Sequence, residues 1–329
     1  MKAFPRGRSA LSLLLFTLSG MLSGPVLADE AKAPLQLVAT TAMVADVLRE
    51  VGGERVEVQG LMGPGVDPHL YRQTRRDVTA MTRADAVFWN GLNLEAQLRN
   101  FLSRLAQRKP VFAAGEAVPA EQRLADEAYQ DQPDPHVWMD PGRWRWVVEG
   151  MRDALVELAP AHASEFQARA EAYLAELEAL DRYAVGVLDS VPASARVLVT
   201  AHDAFGYFGD AYGYEVLGIQ GFSTESEAGL ARIESLVDVL VERRIGAIFI
   251  ESSVSDRNVQ ALVEGAAAEG WAVEIGGELY SDAMGPAATY EGTWLGMLDH
   301  NVTLIARALG GEAPAEGRLG RLGQQGENE

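Results

Sequence analysis

Only five of the 329 residues are histidines, His69, His136, His162, His202 and His300, so their placement is informative. Three of them stand in loops or at a strand end, each within two residues of an aspartate: Asp67-Pro68-His69, Asp134-Pro135-His136 and His202-Asp203. In both Asp-Pro-His tripeptides the proline fixes the backbone just before the imidazole. Neutral imidazoles suit borderline divalent cations such as zinc or manganese. A fourth donor, Asp282, lies in the small-residue loop at 277–285 (GELYSDAMG), which follows the last apolar strand. Glu251, in the segment 249–253 (FIESS), leaves a strand on the same side. It could be a ligand, a carboxylate behind a ligand imidazole, or a group that orients a loop. One such histidine alone would be read as a hydrogen-bonded loop residue. Three in one pattern, in a chain nearly free of histidine, point to a metal. His162 and His300 fall in helical patterns and are read as structural or solvated; Trp144 and Trp146 are read as packing. The chain has no cysteine, which excludes disulfides, thiol nucleophiles and thiolate-held zinc or iron–sulfur sites. Gly63-Pro64-Gly65 has no helix-opening glycine pattern behind it and does not argue for phosphate binding.

These donors need a scaffold that brings loops together. Apolar, β-branched runs at 35–40, 56–61, 86–89 and 111–113 read as short buried strands, and a second set falls at 197–200, 215–217, 247–250 and 273–275. Helical patterns alternate with them; the first has Thr41 as its cap and Gly52-Gly53 as its stop. Alternation of this kind implies parallel sheets with right-handed crossovers. The expected fold is α/β with two lobes, each a parallel-sheet α/β sandwich, joined by one long helix. That helix is read at about 162–188, where Gly and Pro are absent until Gly186 and Phe166, Ala170, Tyr173, Leu174, Leu177, Leu180 and Ala184 form one stripe. It would be roughly 35–40 Å long. The lobes are expected at 29–160 and 191–309, with the connecting helix at 161–190 and a disordered tail at 310–329. Ligands of open α/β sheets bind beyond the carboxyl ends of the strands, so loops from both lobes meeting there could gather the three imidazoles.

Residues 1–28 read as a cleaved export signal: basic Lys2, Arg6 and Arg8, a leucine-rich run at 11–18, and Val26-Leu27-Ala28 before Asp29. The apolar run is too short to span a bilayer. With no cysteine to carry a lipid, the expected product is free in a periplasm. Lys+Arg number 28 against 47 Asp+Glu, and the formal charge of −19 becomes −22 once the three basic signal residues are lost. Such a surface repels phosphate backbones and anionic lipid, so no nucleic-acid partner is expected.

Taken together, residues 63–71 (GPGVDPHLY), 134–140 (DPHVWMD), 200–208 (TAHDAFGYF), 249–253 (FIESS) and 276–285 (GGELYSDAMG) resemble the solute-binding receptors of manganese and zinc ABC importers, the group with a rigid connecting helix. The resemblance runs from about residue 35 to 309. It implies a monomeric, non-enzymatic receptor that holds one Zn2+ or Mn2+ as cargo between two α/β lobes and delivers it to a membrane permease. It also implies His69, His136, His202 and Asp282 as the four ligands. Manganese-dedicated members often have a carboxylate at the position of His202, which favours zinc or mixed use here. Zinc-dedicated members often carry a His-rich loop before the second ligand, whereas 117–133 has no histidine and is acidic. A zinc-dependent periplasmic hydrolase with Glu251 as base is the alternative, and Asp282 counts against it by closing the coordination shell. An adhesin-like surface protein is a third reading, disfavoured by the lack of a lipid anchor.

Overall fold

The computed structural model describes residues 1, 3, 33–126 and 132–324; the expected export signal therefore lies outside the described residues except at positions 1 and 3. The first lobe alternates strands and helices: β1 (Leu35–Ala39), α1 (Ala42–Gly52), β2 (Val56–Gly60), α2 (Arg75–Arg83), β3 (Ala86–Trp89), α3 (Arg99–Leu105) and β4 (Val111–Ala113). Its four strands are all parallel, in the order β2-β1-β3-β4. Thr41 caps α1, its side chain accepting from the Val44 N–H, and Gly53 ends the helix at φ 54°. A small antiparallel pair, β5 (Ala125–Asp126) with β6 (Gln132–Pro133), leads into the segment bearing His136.

Two helices, α4 (Pro141–Leu158) and α5 (Ala163–Leu188), lead to the second lobe. That lobe contains β7 (Val197–His202), α6 (Gly206–Tyr212), β8 (Glu215–Gln220), α7 (Leu230–Glu242), β9 (Ala247–Glu251), α8 (Arg257–Ala268), β10 (Glu274–Leu279) and α9 (Trp294–Ala308). β7 pairs with β8, and β9 with β10, both in parallel; β7 packs beside β9. The expected strands are thus all present, several of them running one to four residues further.

The 26-residue helix α5 is about 39 Å long at 1.5 Å per residue. Phe166, Ala170, Tyr173, Leu177, Leu180 and Ala184 of its predicted stripe are buried, and Leu174 packs at the margin. The helix is more than a connector. It packs on α4 and α1 from the first lobe and on α9 from the second. One apolar core consequently runs through both lobes, from Leu37 and Val47 to Phe208, Trp294 and Ile305. Within it the rings of Trp144 and Trp294 stack at 5.8 Å and 18°. Bending a continuous helix gives up backbone hydrogen bonds, so this joint resists hinge rotation.

One feature departs from expectation. Residues 310–324, expected to be disordered, fold back on the second lobe: the Arg318 N–H donates to both oxygens of buried Asp299, and the Gly323 N–H to Glu291. Buried carboxylates need such donors, and a glycine-rich chain supplies backbone N–H groups easily. Residues 325–329 lie outside the described set. Among the described residues, no helix is long and apolar enough to cross a membrane.

A buried carboxylate of the first lobe reaches the second. Asp46 of α1 accepts the Trp294 N–H at 2.9 Å, at the first turn of α9, and burial pushes its carboxyl up to about 6. The folded-state value lies above the ordinary 3.8, so the stability it contributes is present below about pH 4 and is lost as pH rises through about 6. Asp46→Asn keeps an acceptor for Trp294 without a buried charge. Thermal unfolding should therefore shift in favour of the Asn variant, relative to wild type, between pH 4 and pH 8, by about 2–3 kcal/mol in all. A gap that does not change with pH would contradict this account.

Candidate metal centre

Each donor is delivered by the carboxyl end of a strand or by the loop that follows. His69 lies in the loop after β2, His136 opens the 3-10 turn at Val137–Met139, His202 is the last residue of β7, and Asp282 follows β10. The sheets thus aim the loops of both lobes at one point, as open α/β sheets do. One donor atom from each of the four residues lies within 4.8 Å of all the others. His69 Nε2 stands 3.4 Å from His136 Nε2 and from Asp282 Oδ2; His136 Nε2 is 3.3 Å from Asp282 Oδ1, and His202 Nε2 is 3.2 Å from Asp282 Oδ2. A tetrahedron of zinc–nitrogen bonds has edges of about 3.3 Å. The cluster has the size of a first-row metal ion.

Burial sharpens the point. His136 and His202 are wholly buried, and His69 and Asp282 are each 3% exposed. Among the described residues, His202 Nε2 and both oxygens of Asp282 have no hydrogen-bond partner. Three unsatisfied buried atoms in one place would be costly unless a cation completes them. With both oxygens facing the centre, Asp282 can bind through one or two of them.

Other side chains set the imidazoles. Asp134 Oδ1 lies 2.7 Å from His136 Nδ1 and also accepts the His136 N–H at 2.9 Å. Glu251 plays the equivalent part for His202, with Oε2 2.5 Å from Nδ1 and Oε1 2.8 Å from the backbone N. A carboxylate on Nδ1 keeps the proton there and leaves the Nε2 lone pair for a cation. Of the three parts considered for Glu251, it has this contact and lies outside the four-residue cluster. Burial pushes the His136 imidazole down, but the carboxylates of Asp134 and Asp282 outweigh it and lift the group to about 9. Glu251 and Asp282 similarly hold His202 well above the ordinary range, against burial. Asp282 itself would be raised by burial, yet His202 and His136 hold it well below the usual carboxylate range. A cation entering the cluster thus competes with protons for the same lone pairs.

Glu251→Gln keeps an acceptor for the backbone but cannot hold the Nδ1 proton as a carboxylate does. Metal affinity should fall about 10- to 100-fold while the fold is retained, read by calorimetry beside circular dichroism. An unchanged affinity would remove Glu251 from the site.

Several contributors were not visible in the sequence. In both Asp-Pro-His tripeptides the aspartate makes an Asx-type turn: Asp67 Oδ1 accepts the His69 N–H at 2.8 Å, as Asp134 does for His136. The proline and the aspartate two residues before each histidine are both legible in the sequence; the hydrogen bond from the histidine N–H back to that aspartate is not. Trp138 Nε1 donates to Ser281 O at 2.8 Å, tying the His136 segment to the residue before Asp282. Asn90 Nδ2 donates to Pro135 O, and the buried Glu95 fastens that loop by accepting from Asn90 N, Gly91 N and the Thr40 hydroxyl. His162 and His300 stand apart from the cluster: the first lies 3.5 Å from Glu165, and the second is 2.9 Å from Glu278 O.

The architecture has close counterparts. Residues 37–308 match the protein family described as zinc-uptake complex component A, periplasmic (ZnuA). The chain is 45% identical over 295 residues to the zinc-binding protein TroA of Treponema pallidum (strain Nichols), covering 88% of this chain and 95% of that one. It is 43% identical over 279 residues to the manganese-binding lipoprotein MntA of Bacillus subtilis (strain 168), covering 85% and 91%. The solved structure of the Treponema pallidum periplasmic zinc-binding protein TroA superposes with a TM-score of 0.82, covering 84% of this chain and 99% of that one. Fold and site thus define a two-lobed α/β protein with a buried cluster able to hold one metal ion. Within that class, the chain belongs to the ZnuA family.

Proposed function

We propose that this protein is the extracytoplasmic receptor of a metal-importing ABC transporter. It captures one zinc or manganese ion on His69, His136, His202 and Asp282 and presents it to the transmembrane permease. The observation that carries this reading is the convergence of His202 Nε2 and both Asp282 oxygens, buried and unpartnered, with two further imidazoles. Monomeric action is part of the reading, since one chain supplies all four donors. A zinc hydrolase would need an open coordination position and a free base. Glu251, the base that reading requires, is committed to His202, and no catalytic step is proposed.

The periplasm is the proposed compartment. The lipoprotein name of the Bacillus relative counts against the expected untethered form, while this chain has no cysteine to take a thioether-linked lipid. Fractionation of the exported protein between soluble and membrane fractions distinguishes the two.

Nitrogen-rich sites prefer zinc to manganese in simple competition. Calorimetric titration should give one zinc per chain, a heat that varies with the buffer's ionisation enthalpy because binding releases protons, and displacement of manganese by equimolar zinc. No binding, or more than one ion per chain, would overturn the reading; manganese winning would mean that a two-oxygen Asp282 overrides the imidazoles.

A further inference from the structure

The four donors are almost wholly buried, with His136 and His202 fully enclosed, so a hydrated cation reaches all four only if some segment moves. His69 lines a cavity of about 320 Å3 whose far wall includes Phe222, Ser223 and Glu225. These residues belong to the loop 221–229, between β8 and α7. On its α7 side the loop is fastened to its own lobe: Gln220 Nε2 donates to Ser226 O at 3.3 Å and to Glu227 Oε2 at 3.2 Å. Its tip instead reaches the other lobe. The Thr224 hydroxyl donates to Asp67 Oδ2 at 2.6 Å, and Gln97 Nε2 donates to Glu225 Oε1 at 2.8 Å.

Asp67 is where this matters. Its two carboxylate oxygens serve different lobes, Oδ1 taking the His69 N–H and Oδ2 the Thr224 hydroxyl. The matching aspartate of the other tripeptide, Asp134, puts one oxygen on both the backbone and the ring of His136. The two Asp-Pro-His turns therefore have the same local geometry and different second partners. One holds an imidazole; the other reaches across the cleft, beside the cavity that leads to His69.

We infer that the loop 221–229 is the gate through which the ion passes, with the Thr224–Asp67 hydrogen bond as its latch. Asp67 is thereby a positioning residue that ties the His69 loop to the opposite lobe. The inference rests on the receptor reading above. A latch of this kind retards passage in both directions, whereas a contact that only shapes His69 changes affinity without speeding uptake.

The test uses the full chain and zinc alone. Stopped-flow mixing with zinc reads uptake, and mixing the loaded protein with excess chelator reads release, for wild type, Thr224→Val and Thr224→Ser. Thr224→Val removes the hydroxyl at nearly constant shape and should accelerate both uptake and release about tenfold, the factor for losing one hydrogen bond to a charged acceptor. Thr224→Ser keeps the hydroxyl and should restore wild-type rates. Gln97→Ala, at an exposed position, removes the other tip contact and should speed both steps in the same sense, which keeps the test alive if Thr224→Val does not fold. Wild-type rates in both variants, or faster release without faster uptake, would overturn the gate alone. A wild type that takes up no zinc would overturn the receptor reading and the gate with it.

Discussion

Replacing His136 with alanine is expected to lower zinc affinity by about two to three orders of magnitude, the share of one ligand in a four-ligand zinc site. The loss is more than one nitrogen. Asp134, which lies 2.7 Å from the ring, and Asp282 Oδ1, 3.3 Å from Nε2, would both lose their imidazole neighbour in a buried setting. Two carboxylates would then face the site without the group that offsets them, and an unpaired buried charge costs more than the contact removed. His300→Ala is the matched control, because His300 bonds a backbone carbonyl at Glu278 and stands apart from the cluster. Its zinc affinity should equal that of wild type. Competition against a chelator of known affinity reads both. Retention of affinity within tenfold in His136→Ala would exclude this histidine as a ligand.

Gly296→Ala is expected to destabilise the protein by about 3 kcal/mol or more, a larger loss than a typical overpacked core position. A Cβ at this position would stand 1.8 Å from the Tyr290 carbonyl oxygen and 2.3 Å from its carbon. Both are backbone atoms, which cannot rotate aside as a side chain would. The same N–H of Gly296 is bound at 3.0 Å by the Thr293 hydroxyl that caps α9, so the helix start cannot slide away without losing its cap. The segment that must yield runs from Asp282 to α9 and is pinned at Gly285 N to Glu291 O. Metal affinity should therefore fall together with stability. Gly186→Ala in α5 makes the contrast, since nothing lies within 4 Å of the added carbon. It should stabilise by about 0.5–1 kcal/mol through helix propensity. Denaturant unfolding of the two variants checks both signs, and equal midpoints would refute the packing argument.

What was legible in the sequence had a local signature. Strands announced themselves as short β-branched runs, α5 as an unbroken stripe from Phe166 to Ala184, and the donors as rare residues at strand ends. The repeated Asp-Pro-His marked two of the donor loops outright. What was not legible depends on partners far apart in the chain. Trp138 and Ser281 are 143 residues apart, and Asp46 and Trp294 are 248 apart, so no periodicity links them. The folding back of 310–324 is not legible because its anchors are backbone N–H groups, Arg318 on Asp299 and Gly323 on Glu291, and a glycine-rich composition carries no trace of that. Likewise, the part played by Glu251 depends on which atom of His202 it meets.

The continuous core along α5 has a consequence for modularity. A lobe cut from this chain would expose the faces of α1, α4 or α9 that it now shares with the other half. Neither lobe is an exchangeable part in the way that domains joined by a polar linker are. Lineages of this architecture would diversify by changing the loops at the strand ends, and not by swapping halves. A biosensor built on it would have to accept its reporters at surface loops of the intact chain.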